Sequence, residues 1–181
     1  DLLDALDAQE IAAFREMRER QAIMDCLTRY SRGVDRLDRD LVLSCYHADA
    51  TDDHGAFMGD PQEFVEWVFD LHFKGQIFTQ HHLTNHSCEI DGDTAHTETY
   101  YIFTARNRDE SLWIAGGRYL DRFEKRGPEW RIIERTLVID WYHERPGNSV
   151  WDSGRYANLP NRGAAKPDDP LYRLHPWGTR V

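Results

Sequence analysis

The sequence predicts an α+β fold, a curved antiparallel sheet with three N-terminal helices packed on one face. Two observations carry this. Up to about residue 75 the apolar residues recur at helical spacing, and beyond it four runs rich in Ile, Val, Thr, Tyr, Phe and Trp alternate as strands do. The breaks between those runs are short and hold turn residues, the pattern of a meander rather than of crossover connections. A length of 181 residues suits one compact domain.

The first helix should span Ala8 to Val34. Ile23, Leu27, Tyr30 and Val34 form its buried line, Arg15, Glu16, Arg18, Glu19 and Arg20 an outer face, and Gly33 offers an end. A short second helix is expected from Asp38 to Tyr46, burying Leu41, Val42 and Cys45. Residues 49–59, "DATDDHGAFMG", read as a small hairpin or loop. The third helix opens on the strongest capping signal in the chain: Asp60 as N-cap, Pro61 in the first turn and Glu63 three residues after the cap. Its buried stripe should be Phe64, Val68 and Leu71. Strands are expected over Ile77–Ile90, Thr94–Ala105, Leu112–Glu124 and Trp130–Trp141, broken at "DGD", "RNRDES" and "KRGPE". Residues 1–142 thus make the domain. Residues 143–181, dense in Pro, Gly, Asn and Asp, should be an irregular extension whose Trp151, Tyr156, Tyr172 and Trp177 pack on the domain or on a second subunit.

Composition limits the partners. Against 22 basic side chains stand 32 acidic ones, a net charge of -10 that repels phosphate backbones and anionic lipid, so no nucleic-acid partner is expected. No apolar run approaches the roughly 20 residues of a membrane span, so no membrane association is expected either. Cys26, Cys45 and Cys88 are odd in number and widely spaced, which fits buried thiols in a reducing compartment and a cytoplasmic location. There is no signal-peptide pattern, although a start at Asp without Met leaves a removed leader open.

The histidines of "FTQHHLTNH" raise the question of chemistry. In a strand His82 and His86 lie roughly 13 Å apart and His81 points to the other face, so no metal site is expected. Each histidine alone reads as a half-exposed strand residue. His81 differs in having a candidate partner. If Gly33 ends the first helix, Asp35 leaves it and can turn toward the sheet, where a carboxylate on Nδ1 would fix the imidazole tautomer for proton transfer at Nε2. The alternative for Asp35 is a solvated acid in a loop that also holds Asp38 and Asp40.

The helix end "YSRGVD", the strand opening "TQHHLTNH", the hairpin "IDGDTAHTETYY" and the run "GGRYLDRFEKRGPEWRIIERT" resemble the SnoaL-like family of the nuclear transport factor 2-like superfamily. The resemblance covers about residues 10 to 142. It implies a cone-shaped sheet with the helices on its concave face, and a family that includes dehydratases, a dehydrochlorinase, ketosteroid isomerase and polyketide cyclases beside binding domains and non-catalytic subunits. By position it implies Asp35 and His81 as a catalytic dyad and Tyr30 as a third catalytic residue, with no cofactor. The second acid or base of the dehydratases falls near Thr104, which cannot titrate at neutral pH.

With a turn centred on Asp91 and Gly92, pairing parity puts His81 on one face with Glu98, Tyr100 and Ile102. Tyr101 and Phe103 would then face outward, where large apolar residues suggest a homodimer or higher homo-oligomer. Tyr100, Ile102, Trp113 and Arg135 are the candidate substrate-binding residues, and Tyr119, Trp141 and Arg118 weaker ones. The functional expectation is a cofactor-independent lyase or isomerase acting on a small hydrophobic cyclic molecule. Its alternatives are a non-catalytic subunit similar to the β subunit of ring-hydroxylating dioxygenases, and a ligand-binding cone without chemistry.

Overall fold

The computed structural model describes residues 7–147, 158 and 162–174. Helix α1 (Ala8–Arg36) starts at a capping box, in which the Asp7 carboxylate accepts from the Gln9 and Glu10 N–H groups and Glu10 reaches back to the Asp7 N–H. It buries Ile23, Leu27, Tyr30 and Val34 as their spacing predicts, but it does not stop at Gly33. It ends two residues beyond the expected Val34, where Leu37 takes a left-handed conformation (φ 52°) and its N–H caps the Gly33 and Val34 carbonyls. Gly33 serves a close approach instead: a Cβ there would stand 2.7 Å from Cγ2 of Val42 in α2 (Arg39–Leu43). Asp35 therefore stays on the last turn of α1.

Strand β1 (Tyr46–Asp53) and the two-residue β2 (Met58–Gly59) form the expected small hairpin, but β1 also pairs in parallel with the last strand. Helix α3 (Pro61–Gly75) has the full Asp60 capping box. Its buried line is Phe64, Val65, Val68 and His72, while Leu71 is exposed. Counting by fours from Phe64 reaches His72, so the polar residue, not the leucine, falls on the inner face.

Strands β3 (Gln76–Asp91), β4 (Thr94–Asn107), β5 (Leu112–Arg126) and β6 (Glu129–Arg145) form the antiparallel meander. The order β2-β1-β6-β5-β4-β3 leaves β3 as one edge of an open six-stranded sheet. The core lies between its concave face and the three helices, around Tyr30, Phe64, Tyr119, Phe123 and Ile132.

The parity expectation fails in the middle of the β3–β4 hairpin. Near the turn Ile90 pairs with Ala95 and His86 with Thr99, but beyond a bulge between Leu83 and His86 the register slips by one residue, so that Leu83 faces Tyr101 and His81 faces Phe103. One extra residue on β3 exchanges the faces of β4. Tyr101 and Phe103 point inward, with Tyr101 only 5% exposed, whereas Tyr100 and Ile102 are about two-fifths exposed on the outer face at 40% and 39%.

Strand β6 runs four residues past the expected Trp141. Farther on, residues 162–174 lie against the end of α1 and include a short helix α4 (Pro170–Leu174). Trp151, Tyr156 and Trp177 lie outside the described residues. Cys26, Cys45 and Cys88 are buried free thiols. Among the described residues no helix is long and apolar enough to cross a membrane.

Gly33→Ala would gain about 1 kcal/mol of helix propensity on an open surface. Here the Val42 contact should turn that into a loss of about 1–3 kcal/mol, read as a lower midpoint in urea unfolding.

Candidate active site

Because β3 is an edge strand, its outward backbone N–H groups have no neighbouring strand to bond. Asp35 fills that position from the last turn of α1. Its Oδ2 accepts the His81 backbone N–H at 2.9 Å, and its Oδ1 accepts the Thr79 hydroxyl at 2.9 Å and faces the His81 Nδ1 at 2.7 Å. The ring lies against Phe103 at 4.8 Å between centroids. With Nδ1–H donated to the carboxylate, Nε2 carries the lone pair, and it has no hydrogen-bond partner among the described residues. An imidazole held in this way can take up a proton and have its charge balanced at once.

Tyr30 does not join this pair. Its hydroxyl lies 3.4 Å from Nε2 of His54, whose Nδ1 meets Oδ1 of the buried Asp52 in a short contact. The Tyr46 hydroxyl donates to the other Asp52 oxygen at 2.5 Å. A second carboxylate–imidazole pair thus stands inside the cone, its ring against Phe64 at 4.6 Å. The reading of the sequence missed it, although Asp52 and His54 in "DDHG" have the two-residue spacing that places both on one face of a strand.

Of the four candidate substrate-binding residues, none touches Asp35 or His81. Tyr100 and Ile102 are on the outer face for the reason given above. Trp113 packs edge-on against Tyr142 near the rim. Arg135 has no exposed side-chain surface. It makes two bonds to Asp121, at 2.7 and 2.8 Å, and lies 4.1 Å from the ring centres of both Tyr30 and Tyr119, as a core ion pair rather than an open anion site. Arg118 is tied to Glu98 and Asp140. Thr104 pairs with Gln80 and so faces away from His81; the residue across from His81 is the apolar Phe103.

A family model described as a SnoaL-like domain matches residues 15–136, two thirds of the chain. The chain belongs to the SnoaL-like domain family. Among solved structures similar to this SnoaL-like domain is a type 3 hexachlorocyclohexane dehydrochlorinase from Novosphingobium barchaimii, with a TM-score of 0.69 and 16% identity over 75% of this chain and 95% of that one. A candidate scytalone dehydratase from Novosphingobium aromaticivorans has a TM-score of 0.65 and 18% identity over 75% and 95%. A candidate aromatic ring hydroxylase from the same species has a TM-score of 0.65 and 24% identity over 71% and 94%. At these identities the likeness establishes the fold, and it leaves a quarter or more of the chain uncovered. No curated protein matches the chain.

Two cavities flank the Asp35 carboxylate. A groove of about 390 Å³ is bordered by Ser31, Asp35, His81 and Leu83, and a cleft of about 470 Å³ by Asp35, His72, Phe73, Gln76 and the segment 163–165. Burial pushes the Asp35 carboxyl up, but the charge of His81 and the bonds from its ring, its backbone and Thr79 outweigh this, and the net direction is down. His72 moves the other way for a base. Burial, with help from the charges of His81 and His54, drops it to about 3, so it is neutral at ordinary pH. Burial raises the Tyr30 phenol, which stays protonated. Among the described residues no group of three His, Cys, Asp or Glu side chains is arranged to hold a metal.

Two pH effects follow. A carboxyl with a lowered folded pKa stabilises the fold above its ordinary value of about 4 and loses that contribution as pH falls through the folded value. Asp35→Asn should therefore cost about 1–3 kcal/mol at pH 7, and the difference from the parent should shrink below about pH 4 in denaturant titrations. His72 is the opposite case. The unfolded chain takes its proton near 6.5 and the folded chain does not until about 3, so stability falls with pH across that window. His72→Leu should flatten this acid limb by on the order of a few kcal/mol, read from melting curves between those pH values.

Proposed function

We propose that this SnoaL-like domain is a small-molecule lyase or isomerase in which His81 removes a proton from a carbon beside an electron-withdrawing group of a hydrophobic cyclic substrate. The observation that carries the reading is the 2.7 Å contact between Asp35 and Nδ1, with Nε2 unbonded among the described residues. Nε2 takes the C–H proton. The electron pair either forms a double bond as a hydroxyl or halide leaves, or forms an enolate that is protonated at another carbon. Asp35 orients the ring and offsets the imidazolium. Tyr30, its hydroxyl turned to His54 inside the cone, takes no direct part in the step. The chemistry needs no cofactor. The similar dehydrochlorinase and dehydratase structures make elimination the first class to assay.

A second reading is a non-catalytic subunit similar to the β subunit of ring-hydroxylating dioxygenases, or a binding cone without chemistry. It is favoured by the exposed apolar outer sheet face, where Tyr100, Ile102, Leu120 and Trp141 fit either a second copy of the chain or a larger partner.

The test is turnover of a panel of halogenated and hydroxylated cyclic compounds by the protein and by His81→Ala. The expected result is a loss of about 100-fold or more in the variant, with an unchanged circular dichroism spectrum. Full activity in His81→Ala would overturn the base assignment. Absence of turnover across the panel, with a large partner recovered on size exclusion, would favour the subunit reading.

A further inference from the structure

Residues 162–174 lie beyond the region that matches the family, yet they are tied to the turn of α1 that carries Asp35. A helix leaves its last carbonyls without partners of its own, and its last turn is the part that opens most readily. In α1 the residues just past the end satisfy two of them: the Leu37 N–H donates to the Val34 carbonyl at 3.2 Å and the Asp38 N–H to the Gly33 carbonyl at 2.8 Å. The Arg36 carbonyl is met from the distant segment, by the Lys166 N–H at 2.7 Å.

Side chains close the same junction from both sides. Arg36 pairs with Asp169 at 3.2 Å, and that carboxylate is fixed in turn by the Ala164 N–H at 3.0 Å and the Leu171 N–H at 2.9 Å. Asp38 accepts from Lys166 Nζ at 2.7 Å and from the Tyr172 hydroxyl at 3.0 Å. Both acids are buried, Asp38 at 3% and Asp169 at 6% exposure, so these contacts are better shielded than ordinary surface ion pairs. No residue of the segment belongs to the hydrophobic core, so directed polar contacts, not a packed apolar face, carry the docking.

We propose that Asp38, Lys166, Asp169 and Tyr172 are positioning residues for the Asp35–His81 pair, holding the last turn of α1 so that Asp35 Oδ1 stays on His81 Nδ1. Asp35 adjoins Arg36 and precedes Asp38 by three residues, so both anchored residues sit at its own turn. Its carboxylate swings on two rotatable bonds, and its oxygens are placed on β3 only as well as the backbone behind them is held. Misplacing a catalytic group by about 1 Å costs on the order of 100-fold in rate. The four residues act through that backbone and make no hydrogen bond to the imidazole among the described residues. The consequence for turnover rests on the reaction proposed above, whereas the geometry does not.

The test is nitrogen-15 NMR of the full chain labelled at histidine, following the His81 Nδ1–H, which is assigned by its loss in His81→Ala. The parent should show one tautomer, protonated on Nδ1, with slow exchange of that proton against solvent. Lys166→Met combined with Tyr172→Phe should speed the exchange about ten-fold or more, and Asp169→Asn, which loosens the segment at its other contact and serves if the double variant fails to fold, should do the same. Ile132→Val, a truncation in the core, should lower the melting temperature and leave the exchange within about two-fold of the parent, which separates positioning from general stability. For any compound the protein turns over, the loosened variants should lose about ten-fold in kcat with KM within about two-fold. The proposal is overturned by unchanged exchange in folded variants, by an equal rise in Ile132→Val, or by a parent imidazole that is not protonated on Nδ1.

Discussion

The architecture depends on one carboxylate at the open edge of a sheet. A strand with no neighbour exposes backbone donors, which invite pairing with another chain unless they are covered. Here Asp35 covers one of them, bonding the His81 backbone N–H together with a hydroxyl and an imidazole of β3 from the last turn of α1. The same contacts dock the helix, protect the edge and orient His81. A side chain that serves packing and chemistry together is held to a narrow geometry by both.

The interior of the cone shows a different compromise. In place of a uniformly apolar centre, Arg135 and Asp121 form a buried ion pair between the rings of Tyr30 and Tyr119, with Asp52 and His54 beside them. Burying charge is costly unless partners and hydrogen bonds offset it, and replacing such a pair by apolar groups is often neutral or stabilising. The arrangement does define which hydroxyl meets which ring nitrogen, and this ties Tyr30 to His54 rather than to His81. One Arg135 nitrogen is buried without a partner among the described residues.

The open groove and cleft lie on either side of Asp35, where α1, α3 and β3 meet, while aromatic and paired charged side chains fill the cone behind them. The C-terminal segment lines the cleft by binding the α1–α2 junction, so a part of the chain beyond the matched family region contributes a wall near Asp35. Gly163, Ala164 and Ala165 give that wall no side chain larger than a methyl group.

The sequence by itself determined the order and kind of the elements, because amphipathic spacing, capping boxes and turn residues act over a few neighbours: the Asp60 cap and the buried line Ile23, Leu27, Tyr30 and Val34 were legible from these alone. The pairing of Asp35 with His81 was offered by the residues on a premise that fails, since Gly33 does not end α1, and by position in the family resemblance; their separation along the chain has no local signature. Only the tertiary structure decided the rest. A one-residue bulge in β3 reversed the faces of Tyr100 and Tyr101, Val42 explained Gly33, and the parallel pairing of β1 with β6 brought Asp52 and His54 into the cone. The physical reason is common to all three. Pairing register and close approach are settled by contacts between distant segments, and a strand carries nothing in its own alternation that fixes where its neighbour will slip.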